Sequence, residues 1–163
     1  MSEEDKKTVL IVDDELQSRS LIRKLLSDHY PGLIIEEADN VSSAIERINQ
    51  VKPRLVFLDV QMRGETGFDL LNKTLAINFG IIFTTAHTEF AVKAFRYSAF
   101  DYLVKPLDTE EFKNAVEKAL LRIKNEHSLP FEQVEYLKQL RFEQNNKRKQ
   151  LVNQAICLEF FED

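Results

Sequence analysis

Short apolar runs alternate with longer amphipathic stretches along the first 125 residues. Each run is rich in Val, Ile, Leu or Phe and is followed by polar residues or by a turn signal, which is typical of strands buried on both faces of a parallel sheet. Five such strands are predicted, at residues 8–12, 33–35, 55–58, 81–83 and 100–104.

Between these runs, apolar residues recur at the spacing of helices that pack one face on a sheet. Asn40 is suited to cap the second helix, and Asp108 begins the fifth with Glu111 three residues later, in the manner of a capping box. The stripes of the first, second and third helices are Leu16, Leu21, Ile22, Leu25 and Leu26; Val41, Ala44, Ile45 and Ile48; and Phe68, Leu71 and Leu75. Those of the fourth and fifth are Ala91, Ala94 and Phe95; and Phe112, Ala115, Val116, Ala119, Leu120 and Ile123.

Five strand-then-helix units predict an α/β fold, a doubly wound five-stranded parallel sheet with helices on both faces. Each connection is long enough to hold a helix, and such crossovers are right-handed almost without exception. The carboxyl ends of parallel strands share one edge of the sheet, so polar residues that follow different strands should meet there. The residues concerned are Asp13, Asp14, Asp59, Thr85 and Lys105.

Composition narrows the class of protein. The 163 residues, 44% of them hydrophobic, suit one domain with some remainder. No apolar run approaches the roughly 18 residues of a membrane span, and the acidic N-terminus lacks the features of a secretory signal, so we expect a cytoplasmic protein. The single cysteine, Cys157, excludes an internal disulfide, and the net charge of −5 argues against nucleic-acid binding by this segment, despite the basic residues 147–149.

If the three carboxylates meet at this edge of the sheet, their mutual repulsion must be offset. Two charges about 4 Å apart repel by about 1 kcal/mol in water and by about 4 kcal/mol near a protein surface. Either one acid takes up a proton, or a hard cation binds, and an all-oxygen site with room for water suits Mg²⁺. We favour the cation. A carboxylate oxygen could then attack a phosphoryl group, while Lys105 and Thr85 bind its oxygens.

At these positions the sequence resembles the receiver domains of bacterial two-component response regulators. The resemblance covers residues 8–124. Its motifs are Val-Asp-Asp at 12–14, Leu-Asp-Val-Gln-Met at 58–62 with Gly67 beyond it, Thr-Ala at 85–86 and Asp-Tyr-Leu-Val-Lys-Pro at 101–106. It implies a flavodoxin-like fold of five strand–helix units.

The resemblance also implies roles for the site residues. Asp59 would be phosphorylated by a sensor histidine kinase or a phosphotransfer protein. Asp14 and Asp59 would bind Mg²⁺ directly, Asp13 would bind it through water, and the backbone carbonyl of Gln61 would be a further ligand. The domain would then be a signalling switch, and it would catalyse only its own phosphorylation and dephosphorylation.

By the same resemblance, Thr85 and Lys105 would contact the phosphoryl oxygens, and the bond before Pro106 would be cis. Tyr102 would be an aromatic switch that turns inward when Thr85 moves. The fourth helix, fifth strand and fifth helix would form the partner surface, which could also be a dimer surface.

Three positions qualify the resemblance. Family members commonly have proline four residues after the phosphoacceptor, where this chain has Arg63. We expect that departure to affect the rigidity of the loop and to leave the assignment in place. Gln61 and His87 occupy positions that influence the lifetime of the phosphoryl group in this family.

Residues 86–106 look most like the receivers of LytTR-type transcription regulators, in which a β-rich DNA-binding domain follows the receiver. We expect a receiver at 1–125 and a linker or helical tail at 126–163. That tail is either the start of a truncated output domain or the end of a stand-alone receiver, and its weak apolar stripe could mediate dimerisation. DNA would be bound only through an output domain.

Two other hypotheses stay open. A haloacid-dehalogenase-like phosphatase also uses an aspartyl nucleophile, Mg²⁺, Thr and Lys, but it carries a second acid where this chain has Gln61. A receiver-like interaction module that is never phosphorylated usually lacks part of the set of acids, Thr and Lys, all of which are present here.

Overall fold

A five-stranded parallel sheet forms the centre of the protein, in a computed structural model that describes residues 7–128. The strand order is β2-β1-β3-β4-β5, and all four pairings are parallel. This is the order of flavodoxin-like sheets, so the predicted fold class is confirmed. The strands are β1 Thr8–Val12, β2 Ile34–Ala38, β3 Leu55–Leu58, β4 Gly80–Thr85 and β5 Asp101–Val104.

Helices cover both faces of the sheet. The buried residues of α1 and α5 share one core cluster with the sheet, and those of α2, α3 and α4 share the other. None of these five helices is long and apolar enough to cross a membrane. The helices are α1 Leu16–His29, α2 Val41–Val51, α3 Gly67–Lys73, α4 Ala91–Arg96 and α5 Thr109–Ser128.

The central strands are buried on both sides. In β1, Val9 and Ile11 belong to the core beneath α1 and α5, whereas Leu10 and Val12 belong to the opposite core. All four side chains are fully buried. Successive side chains of a strand point to opposite faces, so a strand covered on both faces reads as a continuous apolar run.

Both predicted helix caps are present. The side chain of Asn40 accepts a hydrogen bond from the backbone N–H of Ser43 at 2.8 Å. Asp108 accepts hydrogen bonds from the backbone N–H groups of Glu110 and Glu111, at 2.9 and 3.2 Å. Asp108 therefore precedes α5 as its cap, and the helix itself begins one residue later.

Three strands and one helix have limits that differ from the prediction. Strand β4 spans Gly80–Thr85 instead of residues 81–83, and β5 begins at Asp101 instead of residue 100. Strand β2 begins one residue later than predicted and continues through Glu36 and Glu37 to Ala38. These acids are accommodated because Glu37 lies on an edge strand and forms ion pairs with Arg19 and Arg23 of α1, at 3.2 and 2.7 Å.

Helix α3 is shorter than its apolar stripe predicted. Thr74 takes an extended conformation, and its hydroxyl donates to the carbonyl of Leu70 at 2.8 Å, so the helix ends at Lys73. Leu75 lies beyond that end and is fully exposed.

Two predicted core leucines of α1 face solvent. Leu16 is 67% exposed and Leu21 is 44% exposed, whereas Ile22 and Leu26, one turn apart, are fully buried against the sheet. Neighbouring helical residues are about 100° apart around the axis, so Leu21 points well away from Ile22.

The predicted tail begins inside a helix, because α5 continues to Ser128. The rest of the tail, with its apolar stripe, its basic residues 147–149 and Cys157, lies outside the described residues. The boundary at residue 125 stays a prediction.

Candidate functional site

The order of the sheet reverses between β1 and β3, and the acids lie at that point. In doubly wound sheets, ligands bind in the crevice where the strand order reverses. Asp13 and Asp14 follow β1, and Asp59 follows β3. The backbone N–H of Asp13 donates to Ala38 at 3.2 Å and that of Asp59 donates to Val12 at 2.9 Å. Sheet hydrogen bonding therefore continues into the site and fixes the backbone at both residues.

The structure brings the three predicted acids together. Asp13, Asp14 and Asp59 each offer a carboxylate oxygen, and these oxygens all lie within 4.8 Å of one another. Asp13 is fully buried and Asp59 is 5% exposed, while Asp14 is half-buried. Ionised groups at that separation repel by about 3 kcal/mol per pair at an effective dielectric constant of about 20. The cluster is therefore unfavourable unless other groups compensate it.

Lys105 supplies part of the compensation. Its Nζ lies 2.7 Å from Asp13 Oδ2 and 3.4 Å from Asp59 Oδ2. Burial lowers the pKa of Lys105, but the hydrogen bond to Asp13 and the charge of Asp59 outweigh that effect, so its net pKa lies above the ordinary lysine value. The lysine is therefore charged at neutral pH and offsets one of the three negative charges.

Backbone N–H groups supply a second part of the compensation for the three carboxylates. Each carboxylate accepts one such hydrogen bond, and hydrogen bonds to an ionised acceptor are stronger than neutral ones. The pairs are Glu15 to Asp13 at 2.9 Å, Gln61 to Asp59 at 3.3 Å and Arg63 to Asp14 at 3.0 Å.

The surroundings of Asp59 disfavour its ionised form. Burial, followed by the charge of Asp13, raises its pKa from the ordinary 3.8 to about 6, although Lys105 and the N–H of Gln61 act in the opposite direction. At neutral pH the carboxylate is still mostly ionised, so it is destabilised and able to act as a nucleophile.

The donor set fits a hard cation. Three carboxylates held close together are the kind of oxygen ligands that Mg²⁺ takes, and Lys105 neutralises only one of them. A divalent ion would offset the remaining repulsion. The pKa of Asp59 is about 6, so protonation of this acid relieves the repulsion only near pH 6 and below.

Thr85 lies at the end of β4, next to Lys105 in the sheet. It is fully buried, and its carbonyl accepts from the backbone N–H of Lys105 at 2.7 Å. Its hydroxyl accepts from the backbone N–H of His87 at 3.3 Å. The hydroxyl of Thr85 and the ammonium group of Lys105 therefore come from the ends of two neighbouring strands. The peptide bond between Lys105 and Pro106 is cis.

Tyr102 of β5 connects to the same segment. Its ring packs 6.1 Å from that of Phe83, and its hydroxyl donates to the carbonyl of His87. Burial, reinforced by the charges of Glu89 and Asp59, raises the pKa of Tyr102 to about 12. The phenol therefore stays protonated and can donate this hydrogen bond at physiological pH.

His87 lies two residues after Thr85, at a position that the resemblance links to the lifetime of the phosphoryl group. In the structure its backbone contacts both predicted switch residues, since the N–H donates to Thr85 and the carbonyl accepts from Tyr102. Backbone contacts leave no signal in side-chain identity, so the sequence could not reveal this link.

Gly67 allows α3 to begin against the end of β3. A Cβ atom at this position would lie 2.5 Å from the carbonyl oxygen of Asp59 and 2.9 Å from Cγ of Leu58. Its N–H donates to the carbonyl of Val60 at 2.8 Å. Only glycine fits this close approach without displacing the backbone of Asp59.

Comparison with known proteins agrees with this geometry. The family model described as the response regulator receiver domain matches residues 9–117. The sensory transduction protein LytT of Bacillus subtilis is 40% identical over 112 residues, which are 68% of this chain and 46% of that protein. The sensory transduction protein LytR of Staphylococcus haemolyticus is 38% identical over 122 residues, or 74% of this chain and 48% of that protein. The chain thus spans about half the length of these curated relatives.

Solved structures agree as well. The signal receiver domain of a putative Luxo repressor protein from Vibrio parahaemolyticus has a TM-score of 0.68 and 28% identity, covering 75% of this chain and 95% of that one. NtrX from Brucella abortus has a TM-score of 0.67 and 33% identity, covering 75% of this chain and 28% of that one. The shared fold, the matched residues and the LytT-type relatives together favour a signalling domain over a metabolic phosphatase. The chain belongs to the response regulator receiver domain family.

Proposed function

We propose that Asp59 accepts a phosphoryl group from a sensor histidine kinase or a phosphotransfer protein, and that its modification switches a partner surface. The observation that carries this proposal is the meeting of three carboxylates with one ammonium group at the edge of the sheet. The carboxylate of Asp59 is buried, and although burial and the charge of Asp13 raise its pKa to about 6, it is still mostly ionised at neutral pH.

The transfer needs few groups from the protein. A carboxylate oxygen of Asp59 attacks phosphorus and forms a P–O bond, while the P–N bond of the donor phosphohistidine breaks and its electron pair stays on the donor nitrogen. The product is an acyl phosphate, which water later hydrolyses to free the carboxylate. Lys105, already 3.4 Å from Asp59, is placed to bear charge on a phosphoryl oxygen.

Mg²⁺ would be held by Asp13, Asp14 and Asp59 with the backbone carbonyl of Gln61, and when bound it supplies positive charge to the phosphoryl oxygens. The residues themselves prepare that site. The backbone N–H groups orient the carboxylates, and Lys105 keeps Asp13 paired when no cation is bound.

The contacts of His87 support a route from the site to the surface. If the hydroxyl of Thr85 turns to bind a phosphoryl oxygen, its present hydrogen bond with the N–H of His87 is broken. The segment that carries His87 is then free to move, and its carbonyl is the acceptor for Tyr102. Helix α4, strand β5 and helix α5 would form the partner surface.

For the whole protein we propose that the signal is passed on to a DNA-binding output domain. The curated relatives are about twice as long as the matched region and carry the name sensory transduction protein. We propose that this receiver, acting in the cytoplasm, controls a LytTR-type DNA-binding domain, either directly or through formation of a homodimer.

The decisive test is the intact mass of the chain after incubation with acetyl phosphate, with Mg²⁺ or with a chelator. We expect one phosphoryl adduct on the wild type and on Asp28→Asn, a control at an exposed acid of α1, but none on Asp59→Asn. The adduct should require Mg²⁺. Size-exclusion chromatography of the product would show whether dimerisation follows.

Other outcomes would contradict the proposal. If the wild type forms no adduct and releases no phosphate, the domain is an interaction module that is never phosphorylated. If it releases phosphate with rapid turnover, it is a phosphatase. An adduct that persists in Asp59→Asn would place the phosphoacceptor elsewhere.

A further inference from the structure

The loop after Asp59 forms a tight hairpin next to the acids. Gln61 and Thr66 form an antiparallel bridge, and the N–H of Met62 donates to the carbonyl of Glu65 at 3.1 Å. These contacts leave two residues in the turn itself, Arg63 followed by a glycine. The loop is therefore fixed by its own backbone.

Arg63 reaches from this turn to the opposite side of the site. Its backbone N–H donates to Asp14 Oδ2 at 3.0 Å, across 49 positions of sequence. The N–H groups bonded to Asp13 and Asp59 come instead from residues two positions further along the chain. The contact between Arg63 and Asp14 is therefore the one among these three that joins the loop after β3 to the loop after β1.

We propose that Arg63 is a positioning residue for the cation site, acting through its backbone N–H. The bond engages Oδ2 of Asp14 and leaves Oδ1 to meet a cation. It also holds Asp14 close to Asp59, in the arrangement in which their oxygens lie within 4.8 Å. A carboxylate ligand whose second oxygen is already bonded loses less freedom when a metal binds. This inference rests on the proposed Mg²⁺ site.

The chemistry of this position explains why its residue type matters. Proline is the one residue type that has no backbone N–H to donate. Every other residue type supplies this N–H. The bond to Asp14 therefore requires that residue 63 is not proline, but it does not require the guanidinium group. The side chain of Arg63 is exposed.

The turn offers a pair of substitutions that separates the loss of the N–H donor from the loss of the side chain. Among the described residues, the non-glycine residues with positive φ are Lys52 and Ser98, so Arg63 does not have positive φ, and Gly64 has a φ of 80°. Negative φ followed by a glycine with positive φ is the pattern of a type II turn, in which proline is favoured at the first position. Arg63→Pro is therefore compatible with the turn, whereas Arg63→Ala removes the side chain and keeps the N–H.

The first test is calorimetric titration of Mg²⁺ into the full chain. We expect Arg63→Ala to bind as the wild type does and Arg63→Pro to bind about tenfold more weakly, the lower end of the effect of deleting a hydrogen bond to a metal ligand. If Arg63→Pro binds as tightly as Arg63→Ala, or more tightly, the inference is overturned. Equal weakening in both variants would assign the effect to the guanidinium group and would overturn it too.

A second measurement tests the bond without a proline. Amide hydrogen exchange at residue 63, followed by NMR in the absence of Mg²⁺, should be slower in the wild type than in Asp14→Ala. Equal exchange would show that the bond is not formed and would overturn the inference even if Arg63→Pro fails to fold. Phosphorylation of the wild type by acetyl phosphate is assayed separately, so a failure here is distinguishable from a failure of the proposed function.

Discussion

Replacing Asp59 with asparagine should stabilise the cation-free protein while abolishing its modification. The folded state raises the pKa of Asp59 from 3.8 to about 6, chiefly because the carboxylate is buried beside Asp13. A tenfold change in an acid dissociation constant is worth about 1.4 kcal/mol, so the ionised carboxylate costs the fold about 3 kcal/mol. Solvent screening on the open side of the site reduces this to about 2 kcal/mol.

The pH dependence has a defined sign. Because the pKa of Asp59 is higher in the folded state than in the unfolded chain, the folded state holds this proton more tightly. The penalty is absent below about pH 4, grows as the pH rises towards 6 and is complete above that value. The asparagine of Asp59→Asn does not titrate, so the free energy of unfolding of this variant should exceed that of the wild type by more and more across the same pH interval.

Urea denaturation with a chelator present, at about pH 4 and about pH 7, would measure both effects. We expect Asp59→Asn to exceed the wild type by about 2 kcal/mol at the higher pH and by much less at the lower one. The control Asp28→Asn should follow the wild type at both. Equal stabilities at neutral pH, or a constant difference at the two pH values, would refute the reasoning.

Three further substitutions test other parts of the site, each by urea denaturation at about pH 7. Lys105→Met should destabilise by about 3 kcal/mol, because buried Asp13 loses its partner at 2.7 Å; no loss would mean that the ion pair does not form. Gly67→Ala should cost about 2 kcal/mol, since its Cβ would lie 2.5 Å from the carbonyl of Asp59, and unchanged stability would argue against that close approach. Thr84→Val should stabilise by about 1 kcal/mol, because the buried Thr84 hydroxyl has no hydrogen-bond partner within the described residues; destabilisation would reveal one.

The sequence predicted the limits of a strand best where burial on two faces coincides with a continuous apolar run. Strands β1 and β3 have the predicted limits for this reason. Strand β4 is just as buried, but it includes Gly80, Thr84 and Thr85 beyond its apolar run, so it is longer than predicted. Strand β2 lies at an edge of the sheet, where Glu36 and Glu37 can be partly solvated and paired with arginines, so its pattern gave no clear limit. Helix α3 ends early because the backbone of Thr74 is extended, which the spacing of apolar residues does not show.

The topology of the sheet predicted which residues meet at the site, but it did not predict which of them bond to one another. Parallel strands bring their carboxyl ends to one edge, so Asp13, Asp14, Asp59 and Lys105 could be expected to meet once the order of elements was known. Their pairings could not be predicted, because Lys105 could have bonded any of the three acids. Its strong contact is with Asp13, and Asp59 is left with the raised pKa.

By itself, the sequence determined the class of fold and the chemical groups of the site, because periodicity and residue type are local properties of the chain. Only the tertiary structure decided which backbone groups hold those side chains. The N–H of Arg63 on Asp14 and the backbone of His87 between Thr85 and Tyr102 join segments distant in sequence. Every residue except proline carries the same backbone groups, so side-chain identity cannot show where they bond, and three-dimensional packing alone assigns their partners.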